Sequence, residues 1–195
     1  MELQVFAAQM STIVIGSCGP VPMWGLAAEL NERFPDKTIA SELGETSALI
    51  LGLEKKAYRL ILTDTYVQRP GILCRKYTEE QLYVSLPLSH PLSGRSSIFL
   101  DELGSQSILM YRDLGIWKRI TQKNSRPHYL AQQDLGTLDE LIRVSDLPSF
   151  SSNLLASRFR AFPGRVCVPL ADEEAFVTFY LCARESDREL LQQLS

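Results

Sequence analysis

The sequence is poor in histidine and cysteine, and this scarcity excludes several kinds of site. Its 195 residues include two histidines and four cysteines, and no two cysteines form a CxxC pair. Zinc sites and disulfide frameworks need ligand or thiol residues grouped closely along the chain. We therefore expect no metal and no cofactor. The thiols are expected to act as small buried side chains in a reducing compartment; they are Cys18, Cys74, Cys167 and Cys182.

Long apolar runs and an excess of basic residues are also missing. No stretch approaches the roughly 18 apolar residues of a membrane span, and the first twelve residues lack the basic and apolar parts of a secretory signal. The net charge is -3 and the isoelectric point is about 5.5, whereas DNA-binding domains usually carry a strongly basic face. We expect a cytoplasmic protein that makes no membrane contact and does not bind DNA through this chain.

Catalytic signatures are absent as well. The sequence contains no GxSxG, no Walker A loop, no HExxH and no evident histidine–carboxylate pair. We therefore expect a binding domain and not an enzyme.

What the sequence does contain is a changing apolar period. A β-branched run at 12–16 is typical of a buried parallel strand, and apolar residues then recur at helical spacing until Pro35. Strands at 38–43 and 60–63 flank a helix that starts at 44–47. The β-α-β-α-β order predicts a parallel, doubly wound sheet.

The same order begins again in the second half of the chain. The predicted elements are a strand at 107–111, a helix opened by 113–115, a strand at 128–131, a helix opened by 136–137 and a weaker strand at 147–151. Further strands are predicted at 71–77, 82–86, 165–169 and 176–182, and a final helix capped by Asp187 runs to Leu194. The chain is therefore predicted to be an α/β protein with two doubly wound lobes.

Several segments, in order from about Thr12 to Leu194, carry a family resemblance. The first is IVIGS, and ELNERFPDKTIASELGETSALILGLEKKAYRLIL follows. EEQLYVSLPLSHPLSG is similar to a pattern e-x-l-x-l-v-x-p-x-x-H-P-L, and FLDEL and PGRVCVPLADEEAFVTFYLCARES complete the set. Together they resemble the effector-binding domain of LysR-type transcriptional regulators.

The resemblance implies a type II periplasmic-binding-protein-like fold with an interlobe cleft. Two crossover strands are expected at about 78–86 and 170–178, with lobe I at 11–83 and 173–195 and lobe II at 84–172. There are departures from the family. Arg59 stands near the place where the family has an aspartate before the third strand, and LPSFSSNLLASRF lacks the family's glycines.

The resemblance also implies partners. DNA would be bound only through a helix-turn-helix region that this chain does not contain. A homodimer is expected, to which the helix with Trp24, Leu26 and Leu30 could contribute, although core packing explains these residues equally well.

The expected ligand site lies at the carboxyl ends of the strands, where helix N-termini offer N–H groups and partial positive charge. This geometry suits a small, anionic effector. The candidate ligand-binding residues lie in four turns, two in each lobe: Ser17, Cys18, Gly19, Thr46, Ser47, Leu114, Gly115, Gly136 and Thr137. For Ser17 and Thr46 the alternative is a purely structural helix cap, and Asp64 is a further candidate for the cleft edge.

Three functions are consistent with such a scaffold. The first is effector sensing by a LysR-type regulator. The alternatives are an enzyme on the same scaffold, which would need a catalytic constellation, and an extracytoplasmic solute-binding protein, which would need an export signal.

Overall fold

The computed structural model describes residues 12–158 and 162–194. The chain forms two compact units: unit 1 is Met1–Thr78 with Thr178–Ser195, and unit 2 is Glu79–Val177. The N-terminal segment read for a secretory signal and the ends of the expected lobe I, residues 11 and 195, lie outside the described residues.

The helices and strands follow the predicted order closely. In chain order they are β1 (Thr12–Ser17), α1 (Pro20–Arg33), β2 (Thr38–Leu43), α2 (Thr46–Glu54), β3 (Leu60–Thr63), β4 (Ile72–Pro87), β5 (Ser107–Tyr111), α3 (Lys118–Lys123), β6 (His128–Gln132), α4 (Leu135–Val144), β7 (Ser149–Ser152), α5 (Asn153–Arg158), β8 (Arg165–Pro169), β9 (Phe176–Arg184) and α6 (Arg188–Gln192).

Unit 1 contains a sheet in the order β2-β1-β3-β9-β4. β1 is parallel to both β2 and β3, and β9 is antiparallel to β3. Because β1 and β3 are buried in the middle of this sheet, most of their side chains are apolar, and isoleucine, valine and leucine predominate. Both strands contribute to a core with α1, β9 and the C-terminal segment that begins with α6: Ile13, Ile15, Met23, Leu26, Leu30, Leu60, Leu62, Leu181, Ala183, Leu190, Leu191 and Leu194.

Unit 2 repeats this winding. Its strands run in the order β4-β7-β5-β6, and β8 pairs with β4. β5 is parallel to β6 and β7, whereas β4 is antiparallel to β7 and β8. In each unit the first parallel strand lies between the second and the third, and an antiparallel strand borders the third. Leu109, Leu138 and Ile142 form a core cluster between β5 and α4.

Three elements differ from the sequence prediction. The strands expected at 71–77 and 82–86 are one 16-residue strand, β4, since no glycine or proline interrupts the residues between them. The helix expected from 113–115 begins as a 3-10 turn at Gly115–Trp117 and continues as α3. The six-residue helix α5 was not predicted, because one and a half turns show too little periodicity to recognise.

Arg59, just before β3, and Asp187, just before α6, interact with one another. Asp187 occupies the N-cap position of α6 but makes no side-chain cap bond, so the predicted capping role is wrong. Its carboxylate instead accepts hydrogen bonds from Arg59 Nε at 2.9 Å and from Arg184 at 2.5 Å. Arg59, which departs from the family pattern, thereby ties the entry of β3 to the start of α6.

Candidate functional site

The edge of unit 1 at which β1 and β3 end holds a polar cluster. The Thr46 hydroxyl, at the first position of α2, donates to Asp64 Oδ1 at 2.7 Å. Asp64 follows the last residue of β3, so the turn after β3 and the start of α2 meet at this edge. The Gly44 N–H donates to the Ser17 carbonyl at 3.0 Å, which fixes the turn before α2 against the end of β1.

Cys18 is the third member of this cluster. Its side chain is buried, and burial, reinforced by the Asp64 carboxylate, raises the pKa of the thiol to about 12; a hydrogen bond with Thr46 opposes that shift only in part. The thiolate is the reactive form of cysteine. Cys18 is therefore a protonated thiol near neutral pH, suited to packing and to donating a hydrogen bond.

The start of α1 is poor in free donors. Ser17 is fully buried, and its hydroxyl donates to the Gly19 carbonyl at 2.7 Å and accepts from the Gly19 N–H at 3.1 Å. Pro20 and Pro22 occupy the first turn, and proline has no N–H. The polar groups of the turn at Ser17 and Gly19 therefore bond one another, and Ser17 does not cap α1, whose N-cap residue is Gly19 without a side-chain cap bond.

The start of α2 differs in this respect. Its N-cap residue Glu45 makes no side-chain cap bond, and its first turn contains no acidic residue. The first N–H groups of a helix have no intrahelical partner and carry partial positive charge. Ser47 in that turn is exposed. In unit 1, α2 therefore offers the better place for an acceptor group to bind.

The candidates of unit 2 are arranged differently again. The Thr137 N–H and hydroxyl both donate to Asp134 Oδ1, at 2.7 and 3.0 Å, and chiefly the N–H bond lowers the pKa of Asp134. The exposed start of α4, which includes Gly136, thus already holds a carboxylate. Leu114 is buried, and Gly115 has a φ of 56°, a left-handed conformation that glycine adopts without strain.

Sequence reasoning missed a buried acid in unit 2. Glu80 on β4 is fully buried, and Trp117 Nε1 donates to its Oε2 at 3.2 Å. Burial raises the pKa of Glu80 to about 7, although bonds from Ser152 and Trp117 favour the charged form. Within the described residues, Glu80 Oε1 has no hydrogen-bond partner. A signal was available, because Glu80 shares the two-residue period of the buried Leu82 and Val84.

Metal-ligand clusters and membrane-spanning helices are both absent from the part of the chain that the structure describes. No group of three or more histidine, cysteine, aspartate or glutamate side chains in residues 12–158 and 162–194 is placed to hold a metal ion. Over the same ranges, no helix is both long and apolar enough to cross a bilayer.

The fold is shared with solved regulatory domains. The reduced OxyR regulatory domain from Pseudomonas aeruginosa aligns with a TM-score of 0.66 at 17% identity, covering 93% of this chain and 91% of that one. The BenM effector binding domain with its effector benzoate aligns at 0.58 and 19%, covering 93% and 90%. Full-length CbnR complexed with target DNA aligns at 0.58 and 14%, covering 96% of this chain and 71% of that one. Among curated protein sequences there is no match.

These likenesses define the class: a mixed α/β fold of the type II periplasmic-binding-protein-like kind. The model of the LysR substrate binding domain matches residues 12–194, and the chain belongs to that family. The predicted fold and family are thus confirmed. The family and the similar structures are regulatory domains and not enzymes, so neither alternative function is favoured.

Proposed function

We propose that this domain senses a small carboxylate-bearing metabolite for a LysR-type transcriptional regulator, in the cleft expected between lobes 11–83 with 173–195 and 84–172. The observation that carries the proposal is the start of α2, where no side chain caps the helix and where Thr46 lies hydrogen-bonded to Asp64. An effector carboxylate would accept hydrogen bonds from the first-turn N–H groups of α2, as anions do at helix N-termini.

Asp64 narrows the chemistry of the effector. A carboxylate beside the anion subsite repels a second negative charge and accepts hydrogen bonds. The effector is therefore expected to combine a carboxylate with a hydroxyl or amine, the carboxylate bound at α2 and the donor group at Asp64. The Thr46 hydroxyl donates to Asp64 and keeps lone pairs with which it can accept from the same donor group.

The predicted residues of unit 2 would supply the second set of contacts. Leu114, Gly115, Gly136 and Thr137 follow β5 and β6, the parallel strands that correspond in winding to β1 and β2. Because Asp134 already occupies the start of α4, we expect these residues to contact uncharged parts of the effector and not its carboxylate.

The signalling step would be a population shift. An effector that binds one arrangement of the regulator more tightly than another moves the equilibrium by its difference in affinity. The BenM domain is described with benzoate and CbnR with target DNA, which supports a small-carboxylate signal and DNA binding through a helix-turn-helix region. A homodimer in the cytoplasm is the setting we propose.

A panel of hydroxy- and amino-carboxylates, screened by thermal shift and then by titration calorimetry, tests this proposal. A binding compound should lose at least tenfold in affinity with Thr46→Ala and with Asp64→Asn. Thr65→Ala is the matched control, since this residue is exposed and the alanine keeps the backbone carbonyl that accepts from the Thr63 hydroxyl. If no compound stabilises the protein, or if Thr46→Ala and Asp64→Asn bind as the parent does, the proposal is wrong.

A further inference from the structure

Two thiols that lie far apart in sequence meet in unit 1. Cys74 is on β4 and Cys182 is on β9, and their Sγ atoms are 2.8 Å apart although 108 positions separate them in the chain. A disulfide bond is about 2.05 Å long, so bond formation needs an approach of about 0.8 Å. Neither thiol is oxidised in this structure.

The backbone register places the two residues directly opposite one another. β4 and β9 are neighbours in the sheet, and the Glu185 N–H donates to the Gly71 carbonyl at 2.8 Å. Cys74 lies three residues after Gly71 and Cys182 three before Glu185, which is the relation of an antiparallel ladder at a non-hydrogen-bonded pair. Such pairs have Cα atoms about 4.5 Å apart, within the range of roughly 4.4–6.8 Å that disulfides span.

The surroundings give the two sulfurs different roles. Cys74 is half-buried, and its Sγ accepts from the Val67 N–H at 3.3 Å. The bond from Cys182 lowers the pKa of Cys74 to about 7, against the effect of burial. Cys182 is fully buried, and its contact with Cys74, together with burial, raises its pKa. Cys74 is therefore the accessible nucleophile, and Cys182 is the thiol that then attacks the mixed disulfide formed on Cys74.

We propose that Cys74 and Cys182 are a reversible dithiol–disulfide pair, oxidised by exchange with a low-molecular-weight disulfide. The Cys74 thiolate attacks one sulfur of that disulfide and displaces a small thiolate. Cys182 then attacks Cys74 Sγ, the second small thiolate leaves, and the two protons from the protein thiols pass to the leaving groups. Two electrons move from the protein to the small disulfide, which becomes two thiols.

The remaining cysteines are not placed for this chemistry. Cys18 lies beside Thr46 and Asp64, at the edge of unit 1 where β1 and β3 end. Cys167 lies on β8 in unit 2, opposite Ser85 on β4. The crosslink would join the two strands that continue from unit 1 into unit 2, and it would enclose all of unit 2 in its loop. A loop of this length strongly restricts the unfolded chain.

The experiment equilibrates the whole chain in glutathione buffers of increasing oxidised fraction, followed by acid quenching, alkylation and peptide mapping by mass spectrometry. The expected product is one linkage between the Cys74 and Cys182 peptides, with the loss of two hydrogen atoms. The melting temperature should rise by about 5 °C or more and return with dithiothreitol. No effector is used, so the outcome is independent of the proposed function.

Variants complete the test. Cys74→Ser and Cys182→Ser should abolish both the linkage and the rise in melting temperature, while Cys167→Ser should keep both. Since Cys182 is in the core, Cys74→Ser and the parent map decide the matter if Cys182→Ser does not fold. A linkage through Cys18 or Cys167, glutathione retained on Cys74, or free thiols in the most oxidising buffer would each overturn the proposal.

Discussion

Trp117 Nε1 donates to Glu80 Oε2 at 3.2 Å, and both side chains are buried in unit 2. An indole N–H can satisfy one oxygen of a carboxyl group, and Glu80 Oε1 has no partner among the described residues. A protonated carboxyl group tolerates such a site better than a carboxylate does, because the charged form loses more hydration on burial. This asymmetry makes the stability of the domain depend on pH.

We expect the free energy of unfolding to fall as pH rises from about 4.5 to about 7 and to level off above that, as far as Glu80 contributes. The folded pKa of Glu80 is about 7 and the reference value is 4.5, so the unfolded state ionises first and is stabilised. The contribution is on the order of 3 kcal/mol. Urea unfolding across this pH range measures it.

Glu80→Gln keeps an acceptor for Trp117 and removes the ionisation, so its unfolding free energy should lose this slope. Glu79→Gln, one residue away and exposed, should keep it. An unchanged slope in Glu80→Gln would show that the carboxyl group is not the source.

The Asp187 carboxylate is expected to be a major stabilising group of unit 1. It is nearly buried and accepts from Arg59 and Arg184, and Arg184 also donates to the Leu53 and Tyr58 carbonyls. Removing one member of a buried network leaves the others without compensation. Asp187→Ala should therefore lower the free energy of unfolding by about 2–4 kcal/mol.

The control for this prediction is Glu185→Ala. Glu185 and Arg188 form an exposed pair, and exposed pairs contribute about 0–1 kcal/mol. Chemical denaturation of both variants should separate them clearly; equal losses would argue that Asp187 does not act through its two arginines.

Substitution of Gly19 tests whether close packing requires a glycine in the turn after β1. A Cβ atom at this position would lie 2.7 Å from two ring carbons of Phe179, a fully buried residue. Gly19→Ala should therefore reduce the free energy of unfolding by about 1–3 kcal/mol through overpacking. Gly94→Ala is the control, because nothing lies within 4 Å of its added Cβ. A Gly19→Ala variant with the unfolding free energy of the parent would show that packing against Phe179 does not require a glycine here.

Local patterns carried most of the fold prediction. The winding of each unit follows from strands and helices whose periods can be recognised within a few residues, as at β1 and α1. The predicted candidates also lie at strand ends or helix starts, because that placement follows from the winding rule itself. In the structure Thr46 is hydrogen-bonded to Asp64, which the sequence analysis had named only as a separate candidate for the cleft edge.

By itself, the amino-acid sequence determined the order of the elements, the doubly wound topology and the family. Only the tertiary structure decided that Thr46 bonds Asp64, that Glu80 is buried against Trp117, and that Cys74 meets Cys182. Each of these pairs joins residues on different elements, and their approach depends on strand register and packing over long sequence distances. Neither composition nor the local apolar period specifies that register, so these pairs can be identified only from the folded structure.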